Sequence, residues 1–342
     1  MIPCHLKSPL RRLPLATLYL SERCNSRCIT CDYWRHGRAD LDLEAVKRLL
    51  PSLDRLGTET VLLSGGEPLL NPDWAEIAAL LGARGLELWL LTSGLSLAKH
   101  ARRASLLFDA ITVSLDGTDR TTYAAIRGLD AFDVVCRGIR AAVDAEARVT
   151  LRVTLQRGNF RQLPQFVDLG RALGVAQVSF LAVDVANAHA FSRREGFAGD
   201  LALRPEELPE LERILLALER DRAEAFRTCF IAESAGKLRQ RILQYFAAVC
   251  GLGPYPPVRC NAPQFSAVID ARGHVSPCFF IDGPPEALAH DDLEGALNGD
   301  PMIALRHEIA NAARPECSRC VCSMWRDLDP PAADRMPWVR SA

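Results

Sequence analysis

The sequence predicts an α/β fold, with a parallel sheet first and a cysteine-rich region last. Three observations carry this. Short apolar runs alternate six times with amphipathic helical stretches between residues 15 and 183; these runs are apolar almost throughout, as strands covered on both faces are; and the cysteines are bunched. Such alternation implies a parallel sheet covered by helices, either open or closed part-way into a barrel. In both architectures ligands meet the C-terminal ends of the strands.

The elements follow in order. Residues 1–14 lack the clean apolar region and small-residue cleavage site of a signal peptide, so a cytoplasmic chain is expected. LATLYL (15–20) is the first strand, and its exit loop carries Cys24, Cys28 and Cys31. LEAVKRLLPSL (43–53) reads as a helix, and TVLL (60–63) as a strand running into Ser64-Gly65-Gly66-Glu67-Pro68. Asn71 as N-cap and Pro72 at the first helical position predict a helix over 73–85, closed by Gly85. LELWLLT (86–92) ends in Thr92-Ser93-Gly94, and AITVSL (110–115) leads to Asp116-Gly117. VTLRVTL (149–155) and QVSFLAV (177–183) complete the set. From 202 to 247 the pattern is helical: Leu208, Leu211, Leu215 and Leu218 share one face, the charges of 218–227 read as a solvated face, and a second helix runs through 236–248. GLGPYPP (251–257) is a break, followed by a hairpin-like stretch over 265–280 with its turn at Asp270 to Gly273.

Composition narrows the class. With 49% hydrophobic and 24% charged residues in 342, this is an ordinary globular chain able to bury a large core. A net charge of -1 with scattered basic residues gives no footprint for nucleic acid or anionic membrane. No apolar run approaches the roughly 18 residues of a spanning helix. Twelve cysteines in a reducing compartment point to metal rather than disulfides. Cys4, Cys136, Cys229 and Cys250 stand apart and read as small buried hydrophobes.

Cys-x3-Cys-x2-Cys can hold three corners of a [4Fe-4S] cube and leave one iron open to an exogenous ligand. A structural zinc site would want a fourth ligand, for which His36 is the only nearby candidate. Gly65 and Gly66, at the end of a strand, let the backbone approach a ligand closely, with the Glu67 carboxylate beside it.

These cysteines, with Ser64-Gly65-Gly66-Glu67-Pro68 and then Thr92-Ser93-Gly94 and Ser114-Leu115-Asp116-Gly117 in order, resemble the signature of the radical S-adenosylmethionine (radical SAM) enzymes over residues 15–185. The resemblance implies a [4Fe-4S] cluster on Cys24, Cys28 and Cys31, with the methionine amine and carboxylate of S-adenosylmethionine on the open iron. It also implies cofactor contacts from Ser64, Gly65, Gly66, Glu67, Pro68, Thr92, Ser93, Ser114 and Asp116. One position departs: Thr30 stands where the family usually has an aromatic, with Tyr33 and Trp34 following Cys31.

Cys260-x12-Gly273-x4-Cys278 and Cys317-x2-Cys320 resemble the auxiliary-cluster domains called SPASM and, in shortened form, twitch. Only Cys322 follows, which implies the one-cluster form: Cys260, Cys278, Cys317 and Cys320 as ligands, with Cys322 a spare or a substitute for Cys320. A four-thiolate zinc knot is the alternative for this region.

The expected fold is then a partial (β/α)6 TIM-like barrel with a small C-terminal cysteine-rich α+β cluster domain. Its parts would be an extension (1–14), a radical SAM core (15–200), a helical bridge (201–255) and an auxiliary-cluster domain (256–342). The implied activity is an oxidoreductase-like one: reductive cleavage of S-adenosylmethionine to a 5′-deoxyadenosyl radical, then hydrogen abstraction from a substrate. Two [4Fe-4S] clusters and an external electron donor such as flavodoxin or ferredoxin are implied, with the auxiliary cluster able to take up the substrate electron. The substrate is expected to be a small molecule (a sugar, aminocyclitol or cofactor precursor), because peptide maturases often carry a leader-binding domain and only about 14 residues precede the first strand. A maturase of a ribosomally made peptide is the alternative, and a non-catalytic iron–sulfur or zinc protein a distant third. Polar residues late in strands five and six, Arg152, Thr154, Gln156, Ser179 and Asp184, are candidate substrate contacts.

Overall fold

The computed structural model describes residues 9–187, 200–289 and 292–328. Cys4 lies outside them. All six strands form close to their expected places: β1 (Leu15–Ser21), β2 (Thr60–Gly65), β3 (Glu87–Thr92), β4 (Ala110–Ser114), β5 (Val149–Leu155) and β6 (Gln177–Ala182). Every neighbouring pair is parallel. The connecting helices are α1 (Leu43–Arg55), α2 (Trp74–Gly82), α3 (Leu97–Leu107), α4 (Arg120–Arg127), α5 (Phe132–Asp144) and α6 (Leu163–Ala172). Leu88, Leu90, Ile111, Val113, Leu151 and Val153 are buried almost completely, each contributing about 1.5–3 kcal/mol of apolar burial. The alternate residues Thr112, Ser114, Arg152 and Thr154 remain partly exposed on the other face, as the period of two in a strand requires.

The sheet extends past the barrel strands. β7 (Ser266–Ile269) pairs in parallel with β1, Leu15 against Ser266, and β8 (Val275–Ser276) pairs antiparallel with β7. The order is β6-β5-β4-β3-β2-β1-β7-β8, an unclosed sheet. The expected hairpin therefore forms with its turn in place, and its first strand also covers the open edge of β1. α7 (Leu208–Asp221) buries Leu208, Leu211, Leu215 and Leu218. Helical segments continue over 235–249, with a wider π turn at Arg239–Gln244.

Two local expectations need correction. Asn71 does not cap α2, which begins at Trp74 without a side-chain cap. Its amide donates to the carbonyls of Leu20 (2.7 Å) and Leu41 (2.8 Å), and its oxygen accepts from Asp73 N (2.7 Å), so it braces the end of β1. Cys229 is exposed at φ 56°, a left-handed position, rather than a packed hydrophobe. Cys136 is buried as expected.

Candidate functional site

The cysteine loop follows β1, whose register against β2 slips between Tyr19 and Ser21 as the chain leaves the sheet. Three neighbours then hold it. Gly66 N and Glu67 N donate to the carbonyls of Ser21 and Arg23, both at 2.8 Å. Asn25 meets Ser93 (3.0 Å) and Ser96 (3.3 Å) beyond β3. Arg27 N and Ile29 N donate to the carbonyls of Arg127 (3.1 Å) and Ile126 (2.9 Å) at the end of α4. Cys28 is thus pinned on both sides. Gly65, at φ 117°, and Gly66 are needed for this packing: a Cβ on Gly66 would stand 2.3 Å from Arg23 O. Their first use is close approach to the chain itself, whatever ligand they also meet.

Glu67 is fully buried. One carboxylate oxygen accepts from Leu69 N (3.1 Å) and Thr92 Oγ1 (2.8 Å), the other from Ser93 N (2.7 Å) and Ser93 Oγ (2.6 Å). A carboxylate has about four acceptor directions, and here all are taken. Glu67 thereby ties the loop after β2 to the loop after β3. Ser64 is buried late in β2, facing Tyr19 of β1, and Pro68 opens the buried turn that follows Glu67.

Asp116 is also committed internally. It is buried, ion-paired with Arg127 Nη1 at 3.1 Å, and accepts from Thr154 N at 2.8 Å. Burial pushes its carboxyl up and the Arg127 charge opposes that. Asn159, not flagged by the sequence, donates to the carbonyls of Asp116 and Thr154 (3.0 Å each) and accepts from Gln156 N (2.8 Å). An Asn in a loop carries no signal of that bracing role.

The candidate substrate residues divide. Ser179 donates to Glu233 at 2.6 Å, and Asp184 accepts from Ala186 N, Asn187 N and the Asn187 amide, so both are engaged within the chain. Gln156 is buried, and its amide nitrogen has no acceptor among the described residues. Arg152 lies beside Ser114 in register on the partly exposed face. The Cys322 thiol is pushed up by burial, with Arg152, Cys260, Lys237 and Asp184 as its electrostatic neighbours.

The first three thiols form one electrostatic unit. Burial pushes Cys24 up to about 11 and Cys31 to about 12, and the neighbouring thiols add to this. Backbone N–H groups of Ser26 (3.5 Å) and Tyr33 (3.3 Å) point at Cys24 Sγ and Cys31 Sγ, the donors a thiolate wants. Closely spaced buried thiols that resist ionisation together become stable as thiolates only when a cation replaces their protons. The second group lines one hollow: Cys260, Cys278, Cys317, Cys320 and Cys322. Asn261 closes it from outside, donating to Met324 O (via Asn261 N donating at 2.9 Å) and to Arg326 O (2.7 Å), while accepting from Arg326 N (2.9 Å). Between the groups stands Tyr19, edge-on to Tyr33 (5.5 Å) and stacked on Phe279 (6.5 Å), with Cys31 and Cys278 both as electrostatic neighbours. Sequence reading passed over Tyr19 because an aromatic inside an apolar strand looks like core.

Among the described residues, no three His, Cys, Asp or Glu side chains converge where one ion would be held. Four thiolates on a single zinc need Sγ–Sγ separations of about 3.8 Å. His36 instead packs edge-on against Tyr33 at 5.0 Å. Of the aromatics after Cys31, Trp34 is faced by the Arg35 guanidinium at 4.4 Å and by Arg27 at 6.0 Å.

The radical SAM superfamily model matches residues 18–169, and that of an iron–sulfur cluster-binding domain, SPASM, matches 260–321. The chain is 29% identical over 192 residues to the Fe-coproporphyrin III synthase of Methanosarcina barkeri, covering 52% of this chain and 46% of that protein. It is 34% identical over 146 residues to a probable GTP 3′,8-cyclase of Pyrococcus abyssi, covering 41% and 46%. The chain spans about half the length of the curated relatives it matches. Among solved structures, Streptococcus suis SuiB bound to S-adenosylmethionine superposes with a TM-score of 0.65 at 14% identity, over 87% of this chain and 68% of that one. The anSMEcpe enzyme with bound AdoMet and the Cp18Cys peptide gives 0.63 at 18%, over 90% and 86%. At such identities the structures share the fold. Among the described residues no helix is long and apolar enough to cross a membrane.

Proposed function

The chain belongs to the radical SAM superfamily and carries a SPASM-type iron–sulfur cluster-binding domain, and from that premise we propose that it abstracts hydrogen from a small-molecule substrate. A bound [4Fe-4S] cluster would supply the electron that cleaves S-adenosylmethionine. The chain's own part is placement. Cys24, Cys28 and Cys31 would hold the cluster; the backbone of Ser64 to Gly66, kept in position by Glu67, would meet the cofactor; Ser93 and Ser114 stand at the neighbouring strand ends, with Arg152 beside Ser114. The observation that carries this reading is the docking of one three-cysteine loop onto the ends of β2, β3 and α4, where the strands of such a sheet present ligands.

The same reading assigns a second cluster to Cys260, Cys278, Cys317 and Cys320, with Cys322 a spare or a substitute for Cys320 in the same hollow. It includes a cytoplasmic setting, an oxidoreductase character, a flavodoxin- or ferredoxin-like donor, and the division into a 15–200 core, a 201–255 bridge and a 256–342 cluster domain. A small-molecule substrate is supported by the sequence relatives, whose names specify a porphyrin and a nucleotide. The peptide-bound neighbours share the fold only, so a peptide substrate is the second reading.

The test is an anaerobic preparation. The reading expects about eight irons per chain from two clusters, and 5′-deoxyadenosine on adding dithionite and S-adenosylmethionine. Bound zinc without deoxyadenosine would sink it. Incubation with GTP, with porphyrin precursors, and with sugars or aminocyclitols then sorts the substrate class by consumption of one of them.

A further inference from the structure

We propose that Arg127 sets the reduction potential of the cluster held by Cys24, Cys28 and Cys31, by fixing a buried positive charge against Cys28. The inference rests on the cluster reading above and adds a positioning residue to it.

Arg127 ends α4 and is 8% exposed, an unusual place for a guanidinium. Asp116 pairs with one end of it, through Nη1 at 3.1 Å. Its Nε–H is buried without any acceptor among the described residues. Native structures rarely leave a buried donor of a charged group unmet; the Tyr123 hydroxyl, itself buried without a partner among the described residues, is one acceptor within reach of Arg127, and a cluster sulfur at Cys28 is the other. Cys28, Asp116 and Tyr123 are the electrostatic neighbours of the Arg127 guanidinium. A cluster carrying a Cys28 thiolate would add a second negative charge beside a cation already paired with Asp116.

The geometry is rigid. The carbonyls of Ile126 and Arg127 hold the N–H groups of Ile29 and Arg27, one on each side of Cys28. Gly128 turns away at φ 77°, and a Cβ there would stand 2.2 Å from Arg27 O. Asp116 is itself fixed by Thr154 N. The cation, its counter-charge and the cysteine therefore keep their places.

Reduction adds one negative charge to the cluster, and a fixed buried cation favours the more negative state. Arginine suits this because it stays charged when buried, where a lysine sheds its proton more readily. Asp116 reduces the effect. Removing Asp116 and removing Arg127 must then move the potential in opposite directions, which a residue that only props up the loop would not produce.

The experiment is a redox titration of the anaerobically reconstituted full-length chain, followed by electron paramagnetic resonance without S-adenosylmethionine. The relevant signal is the one lost in the C24A/C28A/C31A variant; if no signal is lost there, the cluster reading itself fails and takes this proposal with it. R127M should lower the midpoint by about 59 mV or more, a tenfold change in the one-electron equilibrium. R127K, whose amine sheds its proton more readily when buried, should recover only part of that, and D116N should raise the midpoint. An R127M protein that keeps its iron and the wild-type midpoint overturns the proposal. If R127M cannot hold the cluster, D116N decides: a raised midpoint supports the role, and an unchanged or lowered one overturns it.

Discussion

Glu67 shows how one side chain serves two loops. Its four internal donors leave no lone pair idle, so its loss orphans the Leu69 and Ser93 N–H groups and the Thr92 hydroxyl in a dry place, while the Ser93 hydroxyl keeps Asn25. Glu67→Ala is expected to cost about 3 kcal/mol or more, read as a lower urea midpoint at unchanged slope. Glu67→Gln is expected to recover part of that, because one oxygen remains while the amide nitrogen meets Ser93 N–H as donor against donor. The sequence singled out Glu67 for its place after two glycines, and its position was legible while its role was not. Hydrogen-bond saturation depends on Thr92 and Ser93, about 25 residues away along the chain but adjacent once β3 lies beside β2. Arg127 was not legible at all. An arginine before a glycine at the end of an amphipathic helix looks like an ordinary basic C-terminus, and only the packed loop shows it to be buried.

At the scale of elements, the docking of the cysteine loop on α4 makes a sharp prediction. Gly128→Ala places a methyl against Arg27 O at a positive φ, so the fold is expected to lose more than about 1 kcal/mol and the protein to hold less iron. Iron per chain in matched reconstitutions checks it. Asn261→Ala removes the staple between the Cys260 segment and residues 324–326; its expected effect is loss of auxiliary iron with the first cluster retained. All six barrel strands were legible because each is a nearly unbroken apolar run. The pairing of β7 with β1 was not, since the register of Leu15 with Ser266 joins residues about 250 apart. A four-residue strand carries no mark of its partner. Asn71 misled for a related reason: Asn-Pro before an apolar run is a helix start by local rules, and the Asn71 oxygen does take the Asp73 N–H, but α2 begins only at Trp74 and the Asn71 amide braces Leu20 and Leu41.

For the molecule as a whole, the two cysteine groups lie on either side of Tyr19, one in the loop after β1 and the other around the hairpin that extends β1's own sheet. The chain's order of motifs made both groups legible; their nearness came only with the fold. The hairpin and barrel share an edge, and Leu15 packs with Phe265 and Ala262 beneath it. A chain truncated after residue 255 would bare the β1 edge and is expected to be poorly soluble, measured as the soluble fraction on expression. The central claim is that the three-cysteine loop holds the group that cleaves S-adenosylmethionine. The measurement that tests it is 5′-deoxyadenosine formed under dithionite by the wild-type chain, the C24A/C28A/C31A variant and the C260A variant. The prediction is formation by the first, none by the second, and a reduced but real yield from the third. Deoxyadenosine from the triple variant at the wild-type rate would contradict it.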